Sequence, residues 1–252
     1  MHLLLNSFTC LIACGSLLCA QVAEPDIAPP VFQRVVLFGA SVTDGFDSAK
    51  PFGGPETRQY RLANYIEAAL LGKREPAVTH ASTLLFLNAK ETLQKQVSSV
   101  VAAKPTLAIG LDAIFWFCYG ANLTPEQRLA QFESGLQLLE QIECPLIVGD
   151  LPDGSSSVGG ILGKEEMPDA TTLAACNARL ADWAQKRSNV TVFPLAKVMA
   201  AAIANAELTL GSMTWPQGKS RSLLQEDKLH PSRLGLAALA IFVLQSVAPS
   251  RV

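Results

Sequence analysis

Short apolar runs alternate with longer amphipathic segments along most of this chain, and this order restricts its fold more than any other feature. The apolar runs are typical of buried β-strands and are RVVLFGA, AVTHAS, the start of TLAIGLDAIFWF, PLIVGD and NVTVFPL. Segments with helical periodicity lie between them, among them RLANYIEAALLGK, AKETLQKQVSSVVAAKP and PDATTLAACNARLADWAQKR. Strand and helix in turn predict an α/β fold, a doubly wound three-layer sandwich around a five-stranded parallel sheet.

Several of the predicted helices have recognisable ends. Thr124 is a suitable N-cap, Pro125 suits the first helical position, and Gln127 stands three residues after the cap. Gly72 is a plausible stop for the first long helix. The last helix, PSRLGLAALAIFVLQSV, has fewer than the ~20 apolar residues that a membrane span requires. We therefore expect it to pack on the sheet, with no transmembrane span in the mature chain.

Three stretches rich in Gly, Pro and Ser interrupt this order. They are DSAKPFGGPETRQ, LPDGSSSVGGILGKEE and TLGSMTWPQGKSRSLLQED. We predict long loops there, at the edge of the sheet where ligands bind.

The N-terminal segment differs in composition from the rest of the chain. Residues 1–23 carry no charge before Glu24 and suit an export signal, although no Lys or Arg precedes the apolar part. Cleavage after Ala20 is one option, and the lipobox-like LIAC would leave a lipidated Cys14 as another; an apolar terminus that is disordered or docked is the third. Residues 24–31 then form a Pro-rich linker, and residues 32–252 a single domain. The expected location is periplasmic or extracellular.

Charge and cysteine content exclude several classes of function. The formal net charge is −2 and Lys and Arg do not cluster, so we expect no nucleic-acid partner. Outside the leader the cysteines are Cys118, Cys144 and Cys176, which are widely spaced and form no CxxC pair. They allow at most one disulfide and are simplest as buried apolar side chains. No metal or organic cofactor is implied, because His, Cys and acidic residues show no ligand spacing.

Three polar residues follow successive strands. Ser41 comes after the first predicted strand, Ser82 after the second and Asp112 after the third. Ligands of doubly wound folds bind at the carboxyl ends of the strands, near the switch in strand order. These side chains are therefore expected at one edge of the sheet.

A base for a serine nucleophile has few candidates here, since the chain has only three histidines, at positions 2, 80 and 230. His230 lies in QEDKLHPSRLG, three residues after Asp227 and directly before a predicted helix. In such a turn, the carboxylate can reach one ring nitrogen while the other faces outward. Nucleophilic catalysis by serine needs this combination of hydroxyl, base and orienting carboxylate. The alternative is that Ser41 is an N-cap and that Asp227 and His230 form a capping pair.

The two motifs together resemble the GDSL-type, or SGNH, hydrolases. FGASVTDGF is similar to the opening motif of that family, with Ala40 in place of the usual Asp, and DKLHPSRLG is similar to its closing D-x-x-H-P element. The resemblance covers roughly residues 34 to 248 and implies a flavodoxin-like sandwich of the SGNH hydrolase type. It also implies Ser41 as nucleophile, His230 as general base and Asp227 as the residue that orients His230. Gly39 then allows the sharp turn that presents Ser41 at a helix N-terminus.

The sequence departs from this family where its oxyanion hole is formed. Asp112 stands where the family has an asparagine, and Leu85, or less plausibly Leu84, stands where it has a glycine. An ionised carboxylate only accepts hydrogen bonds and repels negative charge on a substrate oxygen. Three alternatives stay open. Burial keeps Asp112 protonated; or Ser82, Thr83 or Asn88 supplies the donor; or Asp112 binds loop amides and only structures the edge of the site.

Two hypotheses follow. The first is a serine ester hydrolase with an acyl-enzyme intermediate, acting on an acetylated sugar, a lipid ester or a small thioester. The second is a ligand-binding or scaffold protein that keeps the triad on a dismantled oxyanion hole. The aromatic stretch AIFWFCYG after the third strand is either a core plug or an apolar wall for a ligand. The sequence does not determine the oligomeric state.

Overall fold

A five-stranded parallel sheet organises the chain. The computed structural model describes residues 30–247 except Phe52 and Gly54. The strand order is β2-β1-β3-β4-β5, and every neighbouring pair is parallel. The strands are β1 Val35–Leu37, β2 Val78–Thr79, β3 Leu107–Gly110, β4 Leu146–Gly149 and β5 Val190–Phe193. The predicted fold class is confirmed: this order places the switch point between β1 and β3.

Burial explains why these short segments form strands. Every residue of β1, β3 and β4 is buried, as their continuous apolar runs predict for central parallel strands. The outer strands β2 and β5 are partly exposed. Val36 at the centre of β1 pairs with Val78 of β2 on one side and with Ala108 of β3 on the other, so β1 is an inner strand of the sheet.

Helices cover both faces of the sheet. They are α1 Ser41–Asp44, α2 Leu62–Ala69, α3 Ala89–Ala103, α4 Phe115–Cys118, α5 Pro125–Leu139, α6 Ala170–Gln185, α7 Leu195–Ala204 and α8 Arg233–Val247. The capping box predicted at Thr124, Pro125 and Gln127 is present at the start of α5. Helix α2 ends at Ala69, three residues before the predicted stop at Gly72, because Leu70 is already extended.

The core has two parts, one on each face of the sheet. The first packs α2, α7 and α8 against the sheet, with Ile66, Val198 and Leu239 among its buried residues. The second packs α3, α5 and α6 against the opposite face, with Val97 and Leu136 among its buried residues. The site lies where these two cores meet, beyond the carboxyl ends of the strands.

Helix α7 and a small hairpin were not predicted from the sequence. The stretch TLGSMTWPQGKSRSLLQED, expected to be a loop, contains most of an antiparallel pair of strands, β6 Leu208–Leu210 and β7 Met213–Trp215. Alternating burial along β6 and the positive φ of 56° at Gly211 in the connecting turn account for it. Four residues of α7 and Leu210 of β6 line the cavity that opens at Ser41.

Several expectations concern the N-terminus or the cysteines. The leader over residues 1–23 and most of the linker over residues 24–31 lie outside the described residues. In the described part of the chain, no helix is long and apolar enough to cross a membrane. Cys118, Cys144 and Cys176 carry free thiols; Cys144 is partly buried and the other two are fully buried.

Candidate active site

The chain turns sharply between β1 and α1, and Gly39 makes this turn possible. Its φ of 134° lies in a region that side chains rarely adopt. A Cβ atom at Gly39 would stand 2.4 Å from Oδ1 of Asp112. Glycine is therefore the residue that fits here, and the turn presents Ser41 as the first residue of α1.

Gln96 holds this turn from behind. Its Oε1 accepts a hydrogen bond from the Gly39 amide at 3.0 Å, and its Nε2 donates to the Gly39 carbonyl at 2.9 Å. Gln96 is buried and lies on the same face of α3 as Leu93, Val97 and Val100. The sequence analysis did not identify it, although one amide in an otherwise apolar helical stripe is a signal that a buried polar contact exists.

The turn before α8 positions Asp227 and His230. Oδ1 of Asp227 accepts hydrogen bonds from the amides of Leu229 and His230, both at 3.0 Å, which fixes the carboxylate. Oδ2 lies 2.7 Å from Nδ1 of His230. Burial by itself raises the pKa of Asp227, but the hydrogen bonds and the charge of His230 outweigh it, so the pKa of this carboxyl is lowered.

Ser41 and His230 are brought together across 189 positions of sequence. Nε2 of His230 lies 2.8 Å from Oγ of Ser41. The ring of Phe46 stacks on the imidazole at a centroid distance of 4.2 Å and fixes its plane. Ser41, His230 and Asp227, which were predicted as a triad, thus form one continuous chain of hydrogen bonds.

Gln225 ties the two segments of the site to each other. Its Nε2 donates to the carbonyls of Phe46 and Pro231 at 2.7 and 2.9 Å, and its Oε1 accepts from the amide of Ser48. Neither Phe46 nor Gln225 was identified from the sequence. No local pattern marks them, because their contacts join segments that are distant along the chain.

Asp112 contacts the turn that carries Ser41. Its Oδ1 accepts from the Ala40 amide at 3.0 Å and from Oγ1 of Thr43 at 2.6 Å, and its Oδ2 accepts from the Val42 amide at 2.7 Å. Burial raises the pKa of Asp112 against the opposing effect of these hydrogen bonds. Of the three alternatives for Asp112, the contacts correspond to the third, binding of loop amides, while the raised pKa lies in the direction of the first, a carboxyl that burial keeps protonated.

The other candidates for an oxyanion hole are largely occupied. The amide of Leu85 donates to the carbonyl of Ser82 at 3.0 Å, and the Leu85 side chain is fully buried. Ser82 caps a 3-10 helix, Thr83–Leu87, by accepting from the amide of Leu84. Both the amide and the hydroxyl of Thr83 donate to Asp44.

The amide of Ser41 differs from the amides around it, because it donates no hydrogen bond within the part of the chain that the structure describes. Gly39, Ala40, Val42 and Thr43 donate to Gln96 or Asp112, whereas none of the hydrogen bonds among the described residues uses the Ser41 amide. An unpaired N–H at the start of a helix favours negative charge nearby. It is therefore the donor available to an oxyanion.

A cavity of about 180 Å³ opens at Ser41 and His230. Its outer part is lined by Phe86, Phe115 and Trp116, so the aromatic stretch after β3 is partly a wall of the cavity. Phe117 and Tyr119 of the same stretch are fully buried and serve the core. The inner part of the cavity extends between α7 and α8.

This arrangement suits proton transfer from a serine hydroxyl. Nε2 can accept the Ser41 proton when Nδ1 carries the other proton, and the Asp227 carboxylate stabilises the imidazolium that results. A serine oxygen so activated can attack a carbonyl carbon held in the adjoining cavity.

The fold is shared with structurally characterised ester hydrolases. A lipase/acylhydrolase from Enterococcus faecalis superposes with a TM-score of 0.52 at 18% identity, over 85% of this chain and 95% of that protein. A GDSL-like lipase from Bacteroides thetaiotaomicron superposes with a TM-score of 0.53 at 13% identity, over 86% of this chain and 89% of that one. Comparison by sequence finds no matching family model and no matching curated protein. The chain has the fold of the GDSL-type, or SGNH, hydrolases.

Proposed function

We propose that the chain is a serine ester hydrolase with Ser41 as nucleophile, His230 as general base and acid, and Asp227 as the residue that orients His230. The observation that carries this proposal is the continuous contact from Asp227 Oδ2 through the imidazole to Ser41 Oγ, at 2.7 and 2.8 Å. Both distances lie within the range of hydrogen bonds between a nucleophile, its base and the orienting group.

Acylation begins when Ser41 Oγ attacks the ester carbonyl carbon and its proton passes to Nε2 of His230. The carbonyl oxygen becomes an oxyanion and accepts a hydrogen bond from the Ser41 amide. When the tetrahedral intermediate collapses, the bond to the alcohol oxygen breaks and that oxygen takes the proton from Nε2. An acyl-Ser41 ester and a free alcohol result.

Deacylation repeats these steps with water. His230 takes a proton from the water as its oxygen attacks the acyl carbon. The proton then returns to Ser41 Oγ as the carboxylic acid leaves. Stacking on Phe46 and the bond to Asp227 keep the imidazole in one plane through both half-reactions.

Asp112 has a positioning role in this proposal. It holds the amides of Ala40 and Val42, on either side of Ser41, and so fixes the direction of the Ser41 amide. A carboxylate near an oxyanion costs transition-state stabilisation, so we expect turnover to be slower than in a hydrolase with additional donors.

The direct test is covalent labelling by an activated fluorophosphonate. Mass spectrometry of the labelled protein should find the adduct on the peptide that contains Ser41, and Ser41→Ala should abolish it. Ser98→Ala, an exposed serine on α3, is the matched control and should label like the wild type. Folded protein that shows no Ser41 adduct and hydrolyses no ester would overturn the proposal.

A second candidate, a ligand-binding or scaffold protein, is favoured by two observations. The Leu85 amide is already used within its own 3-10 helix, and Asp112 offers acceptors rather than a donor. This candidate predicts ligand binding that Ser41→Ala leaves unchanged, with no turnover in the wild type.

Export is part of the proposal and rests on the composition of residues 1–23. Sequencing the N-terminus of protein recovered from cells separates cleavage after Ala20 from a lipidated Cys14. An intact Met1 in a cytoplasmic fraction would contradict both.

A further inference from the structure

The inner part of the cavity differs in chemistry from its mouth. At the mouth, Thr83, Glu166 and the half-exposed Phe86 and Trp116 offer both polar and aromatic groups. The inner part is lined by the side chains of buried aliphatic residues only. They are Leu195, Val198, Met199, Ala202, Leu210, Leu223, Ala238 and Leu239.

Helices α7 and α8 form this inner wall with matching faces. Leu195, Val198, Met199 and Ala202 have the spacing of one face of α7, and Gly235, Ala238 and Leu239 that of one face of α8. Small residues, Ala202, Gly235 and Ala238, stand where larger side chains would close the gap. The space between the two helices therefore depends on small residues in both of them.

An occupant of this space must be apolar. None of the buried polar side-chain atoms that lack a partner in the described chain belongs to a residue that lines the cavity. A sugar hydroxyl placed there would lose its hydrogen bonds to water and find no replacement. A hydrocarbon chain loses nothing and leaves the water that it now contacts.

We propose that the inner part of the cavity is an acyl-binding channel, which takes a linear acyl chain of medium length with its carbonyl carbon at Ser41. This inference rests on the proposed hydrolase function and names its substrate class. The whole cavity, with its mouth, has a volume of about 180 Å³, and an apolar cavity of ~150 Å³ is known to hold a benzene ring. The channel is only part of this volume, so an acyl chain of about six to eight carbons, roughly the size of that ring, is the longest that we expect it to take.

The direction of the substrate follows from the order of the steps. The alcohol must leave first and water must then reach the acyl-enzyme, so the alcohol lies toward the open mouth. The acyl group stays bound until deacylation and lies in the closed inner part. This arrangement places the acyl chain against α7 and α8 and the alcohol against Phe86 and Trp116.

The experiment measures kcat/KM for p-nitrophenyl esters from acetyl to dodecanoyl, which share one leaving group. Each methylene buried in the channel contributes roughly fourfold. We therefore expect wild-type kcat/KM to rise at least tenfold from acetyl to hexanoyl or octanoyl and to fall again at dodecanoyl. A maximum at acetyl with a steady fall toward longer chains would overturn the channel and leave the hydrolase intact.

Ala202→Leu fills the channel, and Ala200→Leu is its matched control on the exposed side of the same helix. We expect Ala202→Leu to lower the octanoyl-to-acetyl ratio of kcat/KM at least tenfold, and Ala200→Leu to leave this ratio within twofold of wild type. Ala238→Val is the second filling variant, should Ala202→Leu fail to fold. Wild-type ratios in a folded filling variant would overturn the channel.

Binding without turnover separates the two proposals. In Ser41→Ala, octanoate should raise the melting temperature and acetate should not, because a ligand that binds only the native state stabilises it. Adding Ala202→Leu, or Ala238→Val if that double variant does not fold, should remove the octanoate shift. The shift without any wild-type esterase activity would support the channel and contradict the hydrolase; activity without the shift would do the reverse.

Discussion

The two carboxylates that flank Ser41 have opposite surroundings. Asp227 contacts the imidazole of His230, and its pKa is lowered. Asp112 is held by the amides of Ala40 and Val42, and burial raises its pKa. One carboxylate is thus connected to the imidazole beside Ser41, and the other to the backbone that carries Ser41.

This difference separates two requirements of acyl transfer. The parts that move a proton lie in a geometry close to that of known serine hydrolases. In the proposed hydrolase, the Ser41 amide would stabilise the oxyanion without help from Asp112 or Leu85, which do not offer free donors. The comparison predicts that changes at Asp227 act mainly on rate, and changes at Asp112 act strongly on stability as well.

The largest effect is expected from Ser41→Ala, which removes the proposed nucleophile and sets the scale for the others. Ester turnover should fall roughly 10⁶-fold, with the melting temperature nearly unchanged. Steady-state hydrolysis of an activated ester measures it. Residual turnover near the wild-type level would mean that another group performs the reaction.

Asp227→Asn should lower kcat roughly 10⁴-fold, because the amide no longer stabilises the imidazolium and can select the wrong tautomer of His230. Stability should change little by comparison. Kinetics and urea unfolding on the same preparation test both halves of this expectation. Equal losses at Asp227→Asn and Asp112→Asn would break the distinction between the two carboxylates.

Asp112→Asn should lower turnover roughly tenfold to a hundredfold and destabilise the protein by about 1–3 kcal/mol. The new NH₂ group would face the N–H and O–H donors of the turn that carries Ser41, and one of these donors would be left unpaired. Urea unfolding and ester kinetics measure the two effects. A rise in turnover would show instead that the charge of Asp112, and not its hold on the turn, dominates its effect.

The smallest effect is the pH dependence of stability. Since the pKa of Asp227 is lowered by folding, its contribution is present above its unfolded pKa and is lost as pH falls through the folded value. The pKa of Asp112 is raised, so the contribution of its protonated form is lost as pH rises through the folded value. Urea midpoints across pH should therefore show Asp227→Asn approaching the wild type on acidification. The wild type should lose stability relative to Asp112→Asn as pH rises. Parallel curves for the two variants would contradict the assigned shifts.

The strands and most helices could be predicted because burial leaves a local trace. A central parallel strand such as β3 is buried on both sides and is apolar at every position, and α5 carries its capping box in four consecutive residues. Helix α7 and the hairpin after it escaped prediction. The strands of that hairpin have only three residues each. Their buried residues pack in the same core as α8, which comes later in the chain.

The same contrast between local patterns and contacts of distant segments applies to the candidate active site. The amino-acid sequence is enough to place a serine after β1 and an aspartate and a histidine before the last helix, since each motif is local and each turn needs those residue types. Three contacts depend on the folded chain: Ser41 meets His230, Phe46 covers the imidazole, and Asp112 binds the turn that carries Ser41. The channel between α7 and α8 also depends on the folded chain, because a space between two helices results from their packing. In the sequence of either helix, only small residues indicate it.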